Sequence, residues 1–345
     1  MGNQLKTAIR EYMRNHPGTK YTEARRAVLA THYLPDIAQL DPGVSLLDAL
    51  GDTSPAAIAA RWEATEFSDN LRVPIGFDIE DRRIVDLDLG EYTVGGNGPH
   101  GCIQGMGGTG KTVLLWNTLL ALAANNSPTK LNITLAEFKG NWVTNNVKAL
   151  SHLTESFPMM EESAEERARF VTFINDELYR RMDLLQANGM RDIREYTAHR
   201  ADDSGVEPLP HLIVVVDSFR EYTTMESTDI HNVITRVAKI GRSLGVHLLL
   251  CDHYMHSSRL AEVLQAVSYR VTLRVSSRTQ SEAAIGVADA ADLPIGKGDA
   301  LLWHLGNGDS PQLTRLRTLQ LEPDHYGERA ELIARIVAAR SAYQR

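Results

Sequence analysis

Short apolar runs and longer amphipathic stretches alternate along most of this chain. Leu212–Val216, for example, is apolar at five consecutive positions, which is typical of a strand buried on both faces of a sheet. Stretches long enough for a helix lie between most of the runs, and this alternation predicts an α/β domain with a mostly parallel sheet flanked by helices. The predicted strands are Ile84–Leu89, His100–Gln104, Asn132–Glu137, Leu212–Asp217, Val246–Asp252, Arg270–Val275, Ala300–His304 and Leu316–Leu321.

Breaks in this pattern divide the chain into four predicted segments. Residues 1–40 form a small basic helical segment, 41–70 a linker with Pro and Gly that carries short helical turns, 71–321 the main domain, and 322–345 a C-terminal helix. In the first segment, Leu5–Asn15 is helix-like, His16-Pro17-Gly18 breaks the helix, and Thr22 caps a second one. Two basic helices around a tight turn could bind DNA, but a docking or solvated appendage is the favoured interpretation.

Composition is that of an ordinary globular protein. Of 345 residues, 43% are hydrophobic and 23% are charged, and no apolar run reaches eighteen residues, so a membrane span is not expected. The net charge of −8 argues against a general nucleic-acid binder, although a local basic channel is compatible with it. Cys102 and Cys251 both lie in predicted strands and are expected to be reduced core residues of a cytoplasmic protein.

A glycine-rich loop precedes the first strong helix of the main domain. Gly105-Met106-Gly107-Gly108-Thr109-Gly110-Lys111-Thr112 fits G-x-x-x-x-G-K-T, in which backbone amides surround phosphates, the lysine reaches the outer phosphates and the Thr hydroxyl binds Mg²⁺. Gly105, Gly107 and Gly110 also fit the dinucleotide fingerprint G-x-G-x-x-G. That fingerprint requires an acidic residue about twenty positions further along the chain, and Glu137 comes somewhat later than this. In a dinucleotide site, Lys111-Thr112 would have no role. A phosphate-loop ATPase is therefore favoured over a Rossmann enzyme.

A buried strand about a hundred residues later ends in a carboxylate, Asp217. Alone, such an aspartate would more often cap the next helix than bind a metal. Behind a phosphate loop, it is predicted to support Mg²⁺ together with Thr112.

Several segments occurring in order resemble one family. The chain resembles the FtsK/SpoIIIE ATPases, and among them the ATPase modules of EccC, the motor of type VII secretion, over roughly Leu46 to His304. The resemblance rests on Leu71-Arg72-Val73-Pro74-Ile75-Gly76, Gly98-Pro99-His100-Gly101, the phosphate loop, Glu137-Phe138-Lys139-Gly140, Val215-Val216-Asp217, Gly241-Arg242-Ser243-Leu244-Gly245-Val246-His247-Leu248 and Ser268-Tyr269-Arg270.

This resemblance implies a RecA-like P-loop core that works in an oligomeric ring, with ATP between neighbouring subunits. Gly105 to Thr112 would bind the phosphates, and a neighbouring subunit would supply an arginine. Arg242, Arg270 and Arg274 are candidates, each with a structural ion pair as the alternative. Lys139 would line a central channel or support the site.

Two departures from the family's pattern affect the chemistry. The family usually has Asp-Glu where this chain has Asp217-Ser218, and loss of a general base commonly costs about 10²–10⁴-fold in rate. Glu137, Asp252 or Glu221 would have to replace it. A Ser/Thr-Gln sensor is often found where this chain has Asp252-His253, so His253 is predicted to contact the terminal phosphate or a water, in a pH-sensitive way.

The sequence therefore predicts an ATP- and Mg²⁺-binding module with slow or partner-activated hydrolysis, in which Lys111, Asp217 and His253 carry the chemistry. The expected partners are related ATPase modules and a secreted helical protein. The alternatives are a DNA-translocating ATPase of plasmid or conjugative transfer, and a nucleotide-holding scaffold without turnover. The expected location is the cytoplasm, with membrane contact only through a partner.

Overall fold

The computed structural model describes residues 10–17, 44–68, 71–90, 95–203, 205–219, 228–255, 260–296, 298–306, 311–321 and 326–343. Within these residues ten strands form one sheet in the order β2-β1-β10-β9-β8-β3-β7-β6-β4-β5. The strands are β1 (Arg72–Asp78), β2 (Arg83–Asp88), β3 (Gly101–Gln104), β4 (Leu131–Glu137), β5 (Leu153–Phe157), β6 (His211–Asp217), β7 (Val246–Asp252), β8 (Tyr269–Leu273), β9 (Asp299–His304) and β10 (Gln312–Thr318).

The sheet has a parallel half and an antiparallel half. Strands β8, β3, β7, β6, β4 and β5 run parallel to one another, whereas β9, β10, β1 and β2 continue the sheet in antiparallel pairs. The predicted α/β fold with a mostly parallel, helix-flanked sheet is confirmed.

Sequence pattern located eight of the ten strands in the described part of the chain. It missed β1, which contains Pro74 and Gly76 and has a bulge between them, and β5, a half-polar strand at the sheet edge. It also placed β10 too late: the strand is Gln312–Thr318, not Leu316–Leu321. These strands pair at the edges or in the antiparallel half, where apolar runs are less continuous.

Helices cover both faces of the sheet. They are α1 (Leu46–Leu50), α2 (Pro55–Thr65), α3 (Lys111–Asn125), α4 (Trp142–Val147), α5 (Ala164–Ala187), α6 (Ile193–Asp202), α7 (Thr228–Leu244), α8 (Ala261–Ala266), α9 (Arg278–Ile285) and α10 (Tyr326–Tyr343), with a 3₁₀ turn at Asp289–Asp292. The core around α3 includes residues of α1, α2, α4 and α10, while α5 and α7 belong to a separate core on the other face.

The stretch predicted as a linker, 41–70, is part of this core wherever the structure describes it. Helix α2 buries Trp62 completely, and the Trp62 indole N–H donates to the Ala123 carbonyl at 3.0 Å. Glu66 just beyond α2 accepts hydrogen bonds from Ser127, Tyr343 and Arg200, which join α2 to α6 and α10. The linker prediction was wrong because Pro55 marks a helix N-terminus here rather than a break in structure.

The two ends of the chain are described to different extents. Residues 10–15 are helical and the helix ends at His16, as predicted, while the rest of the basic segment, including Thr22, lies outside the described residues. The C-terminal helix is α10, which buries Leu332, Ile336 and Ala339 against the core. No helix in the described ranges has the length and apolar character needed to cross a membrane.

Candidate functional site

The carboxyl ends of four neighbouring parallel strands form one edge of the sheet. Gln104 of β3 pairs with Asp252 of β7, Cys251 of β7 pairs with Asp217 of β6, and Asp217 pairs with Glu137 of β4. Because side chains of paired residues in a parallel ladder project to the same face, Glu137, Asp217 and Cys251 lie side by side on the α3 face. One strand, β7, separates the phosphate-loop strand from the Asp217 strand.

The loop from Gly105 to Gly110 turns tightly between β3 and α3 and is anchored to both neighbouring strands. The Gly105 amide donates to the Asp252 carbonyl at 3.3 Å, and the Met106 amide donates to the Arg274 carbonyl at 2.7 Å. Gly108 has a φ of +77° and Gly110, the N-cap of α3, has a φ of +101°. Residues with a side chain are strained at such angles, so the backbone conformation of this loop requires glycine at these positions.

Helix α3 begins at Lys111, so the amides of its first turn have no partner within the helix and its dipole is positive at this loop. The Lys111 ammonium donates to the Met106 carbonyl at 3.0 Å and lies 3.4 Å from Nδ1 of His253. Burial lowers the pKa of Lys111, while the nearby carboxylates of Asp252 and Asp217 act in the opposite direction. Thr112, the second residue of α3, is half-buried beside the loop.

Asp217 lies close to Lys111 and is set among other acids. Burial raises the pKa of Asp217 to about 6; a hydrogen bond from the Cys251 thiol lowers it, and the neighbouring Glu137 raises it further. The Cys251 thiol stays protonated, because burial raises its pKa well above the usual range. A half-buried carboxylate that acts electrostatically on Lys111 is therefore held at the end of the apolar strand β6.

Ser218 follows Asp217 with a φ of +58°, a left-handed conformation that non-glycine residues adopt rarely. The position that the family usually fills with the catalytic glutamate is thus a turn between β6 and Phe219, whose amide donates to the Cys251 carbonyl at 3.3 Å. The serine hydroxyl cannot act as a carboxylate base.

Glu137 is engaged elsewhere. Its two carboxylate oxygens accept the amides of Val143 at 2.7 Å and Thr144 at 2.9 Å, so it caps the N-terminus of α4, and its side chain is buried. A carboxylate held by two backbone amides is fixed in place. Asp252 is also buried and accepts the backbone amide of His253. Glu221 lies outside the described residues.

Of the three candidate arginines, two are bound within their own fold. The Arg270 guanidinium donates to the Ala284 carbonyl at 2.6 Å and lies over the Trp303 ring, and Arg274 donates to the Leu293 carbonyl at 2.6 Å. Arg242 is exposed in the last turn of α7, which leads into the amino end of β7. It therefore lies at the amino ends of the parallel strands, opposite the carboxyl ends that carry the phosphate loop. Lys139 is exposed just beyond β4, two residues from Glu137.

Two relations at this edge could not be inferred from the sequence. Cys251 was predicted only as a core residue, and its proximity to Asp217 follows from the β6–β7 register. His253 was predicted to contact phosphate, but its position against Lys111 depends on how the residues after β7 turn over the loop. One indication of these positions was present in the sequence: the apolar run ends at Cys251-Asp252-His253, and polar side chains collect where a parallel strand ends.

Comparison with known proteins gives the same assignment. A model of the FtsK/SpoIIIE family matches residues 57–262, more than half of the chain. The chain is 35% identical over 245 residues to the ESX secretion system protein EccC of Thermomonospora curvata, covering 71% of this chain and 18% of that protein. It is 33% identical over 268 residues to EccC4 of the ESX-4 secretion system of Mycobacterium tuberculosis, covering 77% and 21%.

Solved structures agree with this. The cytoplasmic domain of the Thermomonospora curvata type VII secretion ATPase EccC superposes with a TM-score of 0.78 at 30% identity, covering 86% of this chain and 34% of that one. The pCW3 conjugation coupling protein TcpA, at 19% identity and a TM-score of 0.59, shares the fold. The chain spans about a fifth of the length of the two curated relatives it matches. Sequence, fold and site together place this chain in the FtsK/SpoIIIE family, as an ATPase module with relatives in type VII secretion.

Proposed function

We propose that this chain binds ATP with Mg²⁺ at the carboxyl edge of its sheet and hydrolyses it slowly, or only with help from a partner. The observation that carries the proposal is the convergence of Lys111 and Asp217 at this edge, beside a loop whose positive φ values require glycine. Amides at a helix N-terminus, a lysine and a carboxylate in this arrangement suit a triphosphate that carries a divalent cation.

Binding would use this chain's residues in defined ways. The amides of the first turn of α3 would surround the phosphates, and the Lys111 ammonium would leave the Met106 carbonyl for an outer phosphate oxygen. Thr112 and Asp217 supply the hard oxygen donors that Mg²⁺ prefers, so they fit this metal and would hold it. The metal would neutralise charge that develops on the phosphates.

Slow turnover follows from the side chains near Asp217. Ser218 offers no carboxylate, and Glu137 is held by the amides of α4. Neither residue is placed to take a proton from an attacking water without rearrangement. We therefore expect hydrolysis to need a partner that reorganises this edge.

A neighbouring ATPase module is the partner we propose for this step. In a head-to-tail ring, the residue that completes a neighbour's site lies on a surface away from the chain's own site. Arg242 meets that condition at the opposite sheet edge, whereas Arg270 and Arg274 bind carbonyls of their own fold.

We further propose a polypeptide substrate, because the relatives at 33–35% identity are named as secretion system proteins. A DNA substrate is the second candidate. The basic residues of segment 1–40 and the fold shared with a conjugation coupling protein are the observations in its favour.

Replacing the phosphate-loop lysine tests the nucleotide site. Lys111→Ala removes a charge-assisted contact worth about 2–3 kcal/mol, so the affinity for ATP·Mg²⁺ should fall roughly 30- to 150-fold or more. Titration calorimetry would measure it, with Lys148→Ala, at an exposed lysine after α4, as the matched control. Equal affinities for wild type and Lys111→Ala would show that the phosphates bind elsewhere.

A further inference from the structure

His253 lies directly over the phosphate loop. Its Nδ1 is 3.4 Å from the Lys111 ammonium, and its Cε1 would lie 3.7 Å from a Cβ placed on Gly107. The imidazole therefore stands against two parts of the loop, the glycine turn and the lysine, at the place where outer phosphates are expected.

The contact with Lys111 fixes the protonation state of the ring. An ammonium group has donors only, so Nδ1 of His253 must be the acceptor, and the ring is neutral with its proton on Nε2. An imidazolium at this distance from an ammonium would face a like charge, which disfavours it.

Other charged groups around this contact come from four elements. Asp217 ends β6 and Asp252 ends β7, and both act on Lys111 at the start of α3. Glu137 of β4 is directed to the amides of α4, and Arg274, just beyond β8, donates to the Leu293 carbonyl. Lys111 is in direct contact with the imidazole, so its movement toward a phosphate would change the field at His253.

We propose that His253 is a contact for the terminal phosphate of the nucleotide and takes up a proton when that phosphate binds. The inference rests on the nucleotide site proposed above. Lys111 would turn from His253 to the phosphate, and an anion would replace the ammonium as the nearest charge to the ring. Free histidine titrates near pH 6.5, so this exchange makes binding proton-linked close to neutral pH.

Two consequences distinguish this arrangement from a polar sensor that does not titrate. The affinity for ATP should increase as pH falls from 8 to 6, because the bound state holds more protons than the free state. ADP lacks the terminal phosphate, so its affinity should respond less to pH. His253 would therefore contribute to the preference for a triphosphate, most strongly at the acidic end of this range.

The experiment is a calorimetric titration of the full chain with ATP·Mg²⁺ and with ADP·Mg²⁺ between pH 8 and pH 6. Two buffers of different ionisation enthalpy give the number of protons taken up. We expect the wild-type Kd for ATP to fall about three- to tenfold over this range, with uptake of a fraction of a proton. His253→Gln keeps a polar side chain that cannot titrate, and it should lose both effects. His199→Gln, at a half-buried histidine on α6, is the matched control.

Because ATP itself titrates in this range, the deciding quantity is the difference between wild type and His253→Gln. Equal pH dependence and equal proton uptake in the two proteins would overturn the inference while leaving the nucleotide site intact. Failure of wild type to bind ATP would instead overturn the proposed function. If His253→Gln unfolds at lower temperature than wild type, His253→Asn provides the same comparison in a smaller side chain.

Discussion

At the scale of single residues, Ser218 is the residue that we propose to limit the rate of this site. It follows Asp217, the proposed metal ligand, with a φ of +58°, so both its chemistry and its backbone are unusual. A glutamate here would place a carboxylate next to Asp217, where the family has its general base. The left-handed conformation costs a non-glycine residue about 1–2 kcal/mol, and Ser218 already bears this cost, so Ser218→Glu should fold.

We predict that Ser218→Glu raises basal ATP hydrolysis by about 10²-fold or more, since general bases contribute roughly 10²–10⁴-fold. Phosphate release under saturating ATP would measure it. Ser218→Gln is the control, because it adds the same bulk at the same backbone angle without a base. Fast hydrolysis by wild type, unchanged in Ser218→Glu, would mean that another group already activates water.

At the scale of elements, the amino ends of β6 and β7 carry a buried chain of histidines. His247 Nδ1 donates to the Pro99 carbonyl at 3.1 Å, so its Nε2 accepts from His211 Nδ1 at 2.8 Å. His100, just before β3, accepts the Leu248 amide at 3.0 Å through Nδ1. Because His247 and His100 each accept a hydrogen bond through a ring nitrogen, these two rings must be neutral. Burial lowers the pKa of His247 to about 4 and that of His100 to about 3, and it lowers the pKa of His211 well below the usual value.

This histidine chain predicts acid-sensitive stability. The unfolded histidines bind protons below about pH 6.5 but the folded ones do not, so the free energy of unfolding should fall as pH drops below that value. His247 and His100 together should contribute a slope of about 3 kcal/mol per pH unit between roughly pH 6 and 4.5. Asp217 has a raised pKa of about 6 and acts in the opposite direction over part of this window.

Denaturant unfolding at a series of pH values between about 7.5 and 4.5 would measure this slope. His247→Gln should reduce the slope by the amount that corresponds to about one bound proton. His199→Gln, at a half-buried position, should leave the slope unchanged. A slope that His247→Gln does not alter would show that other groups control acid unfolding.

At the scale of the whole molecule, the chain corresponds to about a fifth of the EccC and EccC4 relatives, and the described residues form a continuous sheet that carries the proposed nucleotide edge. Its net charge is −8, which disfavours a long phosphate backbone as ligand. We therefore predict that the ATP-bound chain binds a helical export peptide and that binding changes little between 50 and 200 mM salt.

Fluorescence anisotropy with a labelled export peptide and a labelled DNA duplex would compare the two substrates. Duplex binding that weakens by about 10³-fold or more over that salt range would favour DNA transfer instead. If neither ligand binds and no ATP is turned over, the module is a nucleotide-holding scaffold.

The sequence by itself determined the features that are local along the chain. The glycines, Lys111 and Thr112 are contiguous, and the strand ending at Asp217 is an unbroken apolar run, so spacing and apolar pattern sufficed to predict the loop, the parallel strands other than β5 and the candidate metal residues. Strands at the sheet edge and in the antiparallel half, such as β1 and β5, carry bulges or polar residues and gave no such pattern.

Only the tertiary structure decided which side chains meet. Strand register places Cys251 and Glu137 on either side of Asp217, and backbone amides of helix α4 hold the Glu137 carboxylate. The turn after β7 brings His253 to Lys111, 142 positions away along the chain. Such contacts join residues that are distant in sequence, so no local pattern of hydrophobic and polar positions encodes them, and they exist only once the strands have paired and the helices have packed.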